Sequence, residues 1–115
     1  MLFIEYPKCS TCKKAKKFLK DSGVNFEERH IVEENPTKEE LLQWMEMSEL
    51  EPKKFFNTSG ILYRERNLKD KVKNITKEEA AEILSENGML VKRPILIKEN
   101  TVLVGFKEEA YKEVI

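Results

Sequence analysis

Hydrophobic and polar positions near the N-terminus predict a strand, a helix and a second strand. Residues 2–6 are rich in β-forming side chains and stop at Pro7, which has no N–H to donate to a sheet. Between Thr11 and Ser22, apolar residues recur at helical spacing among lysines, and Gly23 follows as a left-handed cap. A second strand is predicted over residues 25–31. Two strands joined by one helix at this spacing indicate a parallel β-α-β unit with a right-handed crossover.

The middle of the chain has the pattern of consecutive helices. A Thr-x-x-Glu capping box occurs at Thr37–Glu40 and again at Thr76–Glu79, each time before an amphipathic run. The second of these helices is predicted to end at Asn87-Gly88. Three shorter elements are predicted between them: a helical turn opened by Pro52, a turn over residues 57–60 and a helix over residues 61–72.

The last quarter of the chain predicts a β-hairpin and a closing helix. β-rich runs at residues 95–98 and 101–105 flank the tight turn Glu99-Asn100, and residues 107–115 are predicted to be helical. The predicted order is therefore β-α-β, a helical block, then β-β-α. We expect an α/β fold with a four-stranded mixed sheet covered by helices. It forms a single domain over residues 1–115, with a helical insertion at about 37–88.

Composition and charge narrow the class of protein. Charged residues make up 37% and hydrophobic residues 40%, and lysine plus arginine equals aspartate plus glutamate at 21 each. Without net positive charge, direct nucleic-acid binding is not expected. Met1 leads into neither a basic segment nor a long apolar one, so we expect no export signal, no membrane segment and a cytoplasmic monomer. In that compartment a transient disulfide is expected rather than a structural one.

The two cysteines, Cys9 and Cys12, form a C-x-x-C motif between the first predicted strand and the first helix, a context that indicates a redox pair. The helix dipole and the neighbouring Lys8 and Lys13 are expected to stabilise a thiolate on Cys9. We predict that Cys9 is an exposed nucleophile and that Cys12, partly covered, is the resolving thiol. The alternative is simple packing, or half of a metal site. Zinc would need about four ligands and His30 is the one histidine, so no metal site is expected.

Three segments resemble the ArsC/Spx family: Tyr6–Ala15, Glu34-Asn35-Pro36 and Arg93-Pro94-Ile95. Members of this family include glutaredoxin-coupled arsenate reductases and the Spx transcriptional regulators. The resemblance, together with a cysteine pair after the first strand, implies a thioredoxin-like fold in which a cis-proline at Pro94 faces the cysteines. It also implies that Arg93 binds an anion or stabilises the thiolate. The alternative for Arg93 is an ordinary surface arginine before a strand.

The resemblance also suggests which groups take part in the reaction and what the chain needs from outside. The candidate catalytic residues are Cys9, Cys12 and Arg93, and the candidate anion- or substrate-binding residues are Ser10, Thr11, Arg93 and Pro94. No bound cofactor is expected, because neither a G-x-G-x-x-G motif nor a P-loop is present. We expect an external thiol reductant (glutathione, glutaredoxin or thioredoxin) and a small-molecule or protein disulfide as substrate.

The chain departs from the pattern of the family's arsenate reductases, which use one cysteine and three arginines. The first of those arginines falls near Asn57 and the last near Gly105, so that Arg93 alone is retained. Arg64 or Arg66 could substitute for one of them. Genuine arsenate reduction is therefore not expected.

Two function hypotheses follow from these observations. The first is a thiol-disulfide oxidoreductase of the arsenate reductase-like family. The alternative is an Spx-like redox-sensing transcriptional regulator that binds the RNA polymerase α-subunit, a class that Val104-Gly105 after the hairpin also matches. The remaining conspicuous residues have structural interpretations: the lysines of the first helix as a solvated face rather than a substrate patch, Trp44, Phe55 and Phe56 as core rather than a partner surface, and His30 as structural.

Overall fold

A computed structural model describes residues 1–115, and its strands form one mixed sheet. The strands are β1 (Leu2–Glu5), β2 (Glu27–His30), β3 (Ile95–Lys98) and β4 (Thr101–Val104). Their order across the sheet is β2-β1-β3-β4. β1 is parallel to β2 and antiparallel to β3, and β3 and β4 form the hairpin. The predicted α/β class and mixed four-stranded sheet are confirmed.

Helices connect and cover the strands. The α-helices are α1 (Ser10–Asp21), α2 (Lys38–Ser48), α3 (Ile61–Glu65), α4 (Leu68–Lys71), α5 (Lys77–Glu86) and α6 (Glu108–Val114). Short 3-10 turns lie at Pro52–Phe55, Val72–Asn74 and Gly88–Leu90. None of these helices is both long and apolar enough to cross a membrane.

Two apolar clusters cover the two faces of the sheet, because successive residues of a strand point to opposite sides. Ile4 belongs to the larger cluster, with residues of α2 and α5, whereas Phe3 belongs to the smaller one, with Ala15 and Leu19 of α1 and Tyr111 of α6. The larger cluster includes three aromatic side chains that the sequence predicts to be core: Trp44, Phe55 and Phe56. That prediction is confirmed, since at most 5% of each residue is exposed.

The loop after β2 is held by His30, whose structural role is borne out. Its Nδ1 accepts hydrogen bonds from the backbone N–H groups of Val32 and Glu33, both at 3.1 Å. The ring also packs edge-on against Tyr6, with the centroids 5.7 Å apart. β2 itself is shorter than predicted: its residues are charged and at least partly exposed, and the buried Ile31 lies just beyond its end.

One helical prediction needs correction. The helix predicted over residues 61–72 is broken at Asn67, which adopts φ 53, a left-handed conformation that asparagine tolerates better than most residues. The predicted end of the helix at Asn87-Gly88 is confirmed, since α5 ends at Glu86 with Asn87 as its C-cap, but Gly88 is not left-handed. Instead it lets the backbone pass against Ile31, because a Cβ at Gly88 would overlap the Ile31 carbonyl. Gly23, in contrast, has φ 72 after α1, as predicted.

The two predicted capping boxes differ in the structure. At Thr37 the box is complete, since Thr37 accepts from the Glu40 N–H and the Glu40 carboxylate accepts from the Thr37 N–H. At Thr76 the side chain accepts from the Glu79 N–H at 3.1 Å, but the Glu79 carboxylate accepts from the Thr76 hydroxyl instead of its backbone. The second box is therefore only half formed.

Arg29 ties β2 to the start of α2. Its guanidinium donates to both carboxylate oxygens of Glu40, at 2.6 and 2.8 Å, and to the carbonyls of Glu34 and Asn35. Its Cζ also lies 5.8 Å from the ring centroid of Trp44. The hydrogen bonds from Arg29, more than those at Thr37, lower the pKa of Glu40 to about 2. The pair thus anchors the helical block beside the sheet.

This ion pair predicts a specific acid dependence of stability. Because the pKa of Glu40 is depressed on folding, its contribution is present above about pH 4.5 and is lost as the pH falls to about 2. The Glu40 side chain is 33% exposed, so solvent screening reduces that contribution to about 1 kcal/mol. In urea unfolding, Glu40→Gln should therefore be less stable than wild type by this amount at neutral pH and equal to it near pH 2.

The exposed neighbour Glu39, in the same first turn of α2, provides the matched control. Glu39→Gln should follow the wild-type stability within experimental error at both pH values. A Glu40→Gln variant that stays less stable than wild type by the same amount at low pH would contradict the assignment.

Candidate active site

Cys9 is the N-cap of α1, and its sulfur starts the helix. The backbone leaves β1 in an extended conformation at Cys9 (φ -85, ψ 122), and the Cys9 N–H donates to the Tyr6 carbonyl at 3.0 Å. The Sγ of Cys9 accepts from the Cys12 N–H at 3.4 Å, in the position where serine or aspartate oxygens usually cap. The sulfur therefore lies at the positive end of the helix dipole.

The two cysteines have opposite electrostatic surroundings. Burial alone would raise the pKa of Cys9, but hydrogen bonds from Cys12 and the positive charge of Arg93 outweigh it, and the pKa is lowered. The pKa of Cys12 is raised to about 12, chiefly by burial and further by the nearby Cys9 and Glu5. Both residues are free thiols. This arrangement favours ionisation of Cys9 over ionisation of Cys12.

Three details of the predicted cysteine site change. Cys9 is half-buried rather than exposed, and Cys12 is completely buried, not partly covered. The cation that lowers the pKa of Cys9 is Arg93, whereas the sequence suggested Lys8 and Lys13. Arg93 is remote in sequence, so its effect could be predicted only from the family resemblance.

Arg93 is fixed in place by the segment that precedes it. Its Nη1 donates to the carbonyls of Met89 and Val91, at 3.3 and 3.5 Å. The guanidinium carbon lies 5.2 Å from the centroid of the Tyr6 ring, a cation-π distance. The Arg93–Pro94 peptide bond is cis, as the resemblance implies. Arg93 is therefore not a free surface side chain.

A cleft of about 850 Å³ opens in front of Cys9. Of the predicted site residues, the structure brings four to its wall: Cys9, Ser10, Thr11 and Arg93. Cys12 and Pro94 do not line it, because both are buried behind it. Ser10 and Thr11 lie in the first turn of α1, and the Thr11 N–H also contributes to lowering the pKa of Cys9.

The cleft also contains two cations that sequence reasoning missed, Lys92 and Lys107. Besides Arg93 it is lined by three lysines, Lys8, Lys92 and Lys107, and by no aspartate or glutamate. In a chain with 21 basic and 21 acidic residues, this is a local excess of positive charge. No periodicity identifies Lys92 and Lys107, because they lie in connections that are distant from Cys9 in sequence. The one available signal was that Lys92 directly precedes Arg93.

Another wall of the cleft comes from residues 57–62, which form the turn before α3 and the start of that helix. Asn57 holds it: its N–H donates to the Leu90 carbonyl at 2.8 Å and its side chain donates to the Met89 carbonyl at 3.4 Å. Arg64 and Arg66 do not line the cleft, so the suggestion that either substitutes for a missing arginine is wrong. Arg66 instead pairs with Glu86 at 2.9 Å.

Two further sequence interpretations concern cations and metals. None of the lysines of α1 lines the cleft. Lys16 pairs with Glu28 and Lys17 with Asp21, both at 2.7 Å. They belong to a solvated face. No group of three or more histidine, cysteine, aspartate or glutamate side chains is arranged to hold a metal ion.

The sheet order, the covering helices and the cysteine pair at the start of α1 define a thioredoxin-like protein. The chain belongs to the ArsC family, whose family model matches residues 4–114. It is 50% identical over 113 residues to the uncharacterized protein YusI of Bacillus subtilis, covering 98% of this chain and 96% of YusI. It is also 31% identical to the global transcriptional regulator Spx of Streptococcus agalactiae, covering 90% of this chain and 74% of Spx.

Solved structures agree with this assignment. An ArsC family related protein from Bacteroides fragilis superposes with a TM-score of 0.95 at 49% identity, covering 99% of this chain and 96% of the other. A possible arsenate reductase from Streptococcus mutans superposes with a TM-score of 0.86 at 45% identity, covering 92% and 90%. The family and the thioredoxin-like fold are thereby shown.

The environment of Cys9 leads to a direct prediction for Arg93. The Arg93→Gln variant lacks the positive charge near Cys9, so the pKa of Cys9 should rise. Alkylation of Cys9 by iodoacetamide at neutral pH should therefore slow by about threefold to tenfold. The measurement is the pH–rate profile of labelling at Cys9, followed by mass spectrometry. Arg66→Gln, which removes an arginine paired outside the cleft, should keep the wild-type profile. Superimposable profiles for Arg93→Gln and wild type would count against the assignment.

Proposed function

We propose that this protein is a thiol-disulfide oxidoreductase in which Cys9 is the nucleophile and Cys12 the resolving thiol. The observation that carries the proposal is the opposite perturbation of the two cysteines. Cys9 has a lowered pKa and opens onto the cleft, whereas Cys12 is buried one turn along α1 with a raised pKa. This is the arrangement needed for one thiol to attack first and for the other to act only after an adduct has formed.

The reaction proceeds in two exchange steps. The Cys9 thiolate attacks one sulfur of a substrate disulfide, forms a mixed disulfide with it and releases the other sulfur as a thiolate that takes up a proton. Cys12 then loses its proton and attacks the Cys9 sulfur. The Cys9–Cys12 bond forms, the bond to the substrate breaks, and the second substrate sulfur leaves as a thiol. The substrate is reduced, and an external thiol (glutathione, glutaredoxin or thioredoxin) returns the cysteine pair to its reduced form.

The charge of the cleft supports a negatively charged substrate. Lys8, Lys92, Arg93 and Lys107 line it without a carboxylate among them. Gly105 supports this arrangement, since a Cβ there would come within 3.3 Å of the Lys92 Cε and crowd its stem. We infer that the preferred partner is an anionic disulfide, either a small molecule or an acidic segment of a protein.

Arsenate is not the substrate that we propose. Asn57 and Gly105 lie in the cleft near the places where the family's arsenate reductases have arginines, so Arg93 is the one arginine in its lining. The lysines that take part instead are compact point charges, and they lack the forked geometry with which arginine binds an oxyanion. The second cysteine provides a way to resolve an adduct within the chain.

A redox-sensing transcriptional regulator is the second candidate, favoured by the 31% identity to Spx. In that case the Cys9–Cys12 bond would be a signal rather than a catalytic intermediate. Binding to the RNA polymerase α-subunit that depends on the oxidation state, together with no turnover of disulfides, would favour the regulator. Turnover without such binding would favour the oxidoreductase.

Trapping the intermediate tests the proposed roles of the two cysteines. In Cys12→Ser, attack by Cys9 can begin but cannot be resolved, so a stable mixed disulfide with oxidised glutathione should accumulate and be visible by mass spectrometry. In Cys9→Ser no adduct should form, because Cys12 is completely buried. An adduct on Cys12 in the Cys9→Ser variant, or failure of Cys12→Ser to accumulate one, would contradict the assignment.

The charge of the cleft predicts an order of substrates. Cys9 in the Cys12→Ser variant should react faster with oxidised glutathione, which is anionic, than with neutral hydroxyethyl disulfide, and slowest with cationic cystamine, after correction for leaving-group pKa. The differences should shrink as salt is added. Replacing Lys92 and Lys107 by glutamine should reduce the preference for the anion by about tenfold.

A matched control replaces Lys69 and Lys71, which are exposed and lie outside the cleft, so that the net charge changes equally. This control should retain the order of rates. If the two double variants lose the preference equally, the overall charge of the protein is responsible and the cleft is not.

A further inference from the structure

Two arginines of this chain are held by carboxylates. Arg29 donates to Glu40 at 2.6 and 2.8 Å, and Arg66 donates to Glu86 at 2.9 Å. In each pair the carboxylate offsets the charge of the guanidinium. Arg93 forms no ion pair within the chain, although it is half-buried in the wall of the cleft. A different interaction therefore holds it in place.

The partners of Arg93 are neutral groups. Its Nη1 donates to the carbonyls of Met89 and Val91, at 3.3 and 3.5 Å, and both bonds are longer than is usual for N–H···O. Because both start from one nitrogen, they fix one corner of the planar guanidinium. The guanidinium carbon lies 5.2 Å from the centroid of the Tyr6 ring, within cation-π range. The ring is therefore the contact that fixes the rest of the group.

Tyr6 is also attached to the nucleophile. Its carbonyl accepts the Cys9 N–H at 3.0 Å, so that one residue contacts Cys9 through its backbone and Arg93 through its ring. The ring is half-buried and packs edge-on against His30, with the centroids 5.7 Å apart. Tyr6, Cys9 and Arg93 all line the same cleft. Tyr6 thus joins two parts of the site that are remote in sequence.

A neutral partner has an electrostatic consequence for the site. A carboxylate beside Arg93 would offset the positive charge that favours the Cys9 thiolate and attracts an anion. An aromatic ring attracts a cation through its quadrupole and carries no net charge. In addition, Nε and Nη2 of Arg93 donate to no group of the chain, which leaves them available to an anionic substrate. Arg93 keeps both its charge and its donors.

We propose that Tyr6 is a positioning residue whose ring holds the Arg93 guanidinium beside Cys9 without neutralising it. This rests on the proposed role of Cys9 as nucleophile and adds a residue to the first exchange step. Tyr6 itself transfers no proton or electron; it keeps the cation where an incoming anion meets the Cys9 sulfur. Because Tyr6 also packs against the larger apolar cluster, its test separates positioning from packing.

Two alkylating reagents make that separation. Iodoacetate is an anion and iodoacetamide is neutral, and both react with the same thiolate, so the ratio of their rates does not depend on how much thiolate is present. Each rate at Cys9, measured by mass spectrometry at neutral pH and low salt, is divided by the rate with N-acetylcysteine amide, a neutral model thiol. The corrected ratio of iodoacetate to iodoacetamide reports the positive charge beside the sulfur. In wild type it should be about three to ten.

The variants should then fall into two groups. Tyr6→Leu should lower the corrected ratio about threefold, because Arg93 is no longer held beside Cys9. Tyr6→Phe keeps an aromatic face and should stay within about 1.5-fold of wild type. Arg93→Gln should also lower the ratio. Adding Tyr6→Leu to Arg93→Gln should lower it no further, because no cation remains to be positioned.

Tyr63→Leu is the matched control. Tyr63 packs in the larger cluster but does not line the cleft, so its loss tests the general effect of removing a ring. It should keep the wild-type ratio. The role of Tyr6 is overturned if Tyr6→Leu matches wild type, if Tyr6→Phe falls as low as Tyr6→Leu, or if Tyr63→Leu falls equally. An equal fall from Tyr6→Leu in the Arg93→Gln background also overturns it.

Should Tyr6→Leu fail to fold, NMR spectra of wild type still decide. The side-chain protons of Arg93 lie over an aromatic ring, so their signals should be shifted upfield from those of the urea-unfolded chain, and Tyr6→Phe should retain the shift. Wild-type signals at the unfolded positions would show that the ring does not hold Arg93.

Failure of the underlying function has a different signature. If Cys9 of wild type reacts no faster than the model thiol with either reagent, Cys9 is not an activated nucleophile, and the function and the role of Tyr6 fall together. If wild-type Cys9 reacts faster and Tyr6→Leu keeps the wild-type ratio, the role of Tyr6 falls alone.

Discussion

Helix α1 begins with a sulfur atom in the position where most helices have an oxygen. The Cys9 Sγ accepts the N–H of Cys12 at 3.4 Å, and the Cys9 N–H is itself fixed by the Tyr6 carbonyl at the end of β1. A thiolate is a better acceptor than a thiol, so the interaction that starts the helix also stabilises the charged form of Cys9. The fold of this corner and its reactivity depend on the same contact, and the buried Cys12 is held one turn away by the helix itself.

The rest of the molecule brings distant segments to that corner. The Gly105 N–H donates to the Pro94 carbonyl and the Lys92 N–H to the Phe55 carbonyl, both at 2.8 Å. These bonds join the hairpin to Arg93–Pro94 and join that segment to the helical block. The block in turn is anchored beside the sheet by Arg29 and Glu40. The electropositive cleft therefore depends on packing throughout the chain, although the chemistry needs only a few side chains.

Sequence alone predicts the parts of this arrangement that are local or periodic. The strand that stops at Pro7 and the cap at Gly23 follow from backbone chemistry, and the family motifs pointed to Arg93 and Pro94. The break at Asn67 and the close approach at Gly88 depend on tertiary contacts that compete with helix propensity, and so they were not predicted.

Parts of the site were missed for a similar reason. Lys92 and Lys107 are exposed residues in connections, where no pattern distinguishes a cleft from open solvent. Glu5 looked like a single charge in a strand, because only the packing of α1 over β1 shows that it is buried and paired with Lys16. No single segment of the sequence predicts side-chain chemistry that depends on which helix covers which strand.

A redox titration of the cysteine pair tests the central claim most directly. The protein is equilibrated with glutathione or dithiothreitol buffers of known potential, and free thiols are alkylated and counted by mass spectrometry. The two-cysteine account predicts an intramolecular Cys9–Cys12 disulfide that titrates as a two-electron couple, with a midpoint between about −180 and −300 mV. A titration in which Cys9 alone is oxidised, while Cys12 remains a free thiol at every potential, would contradict it.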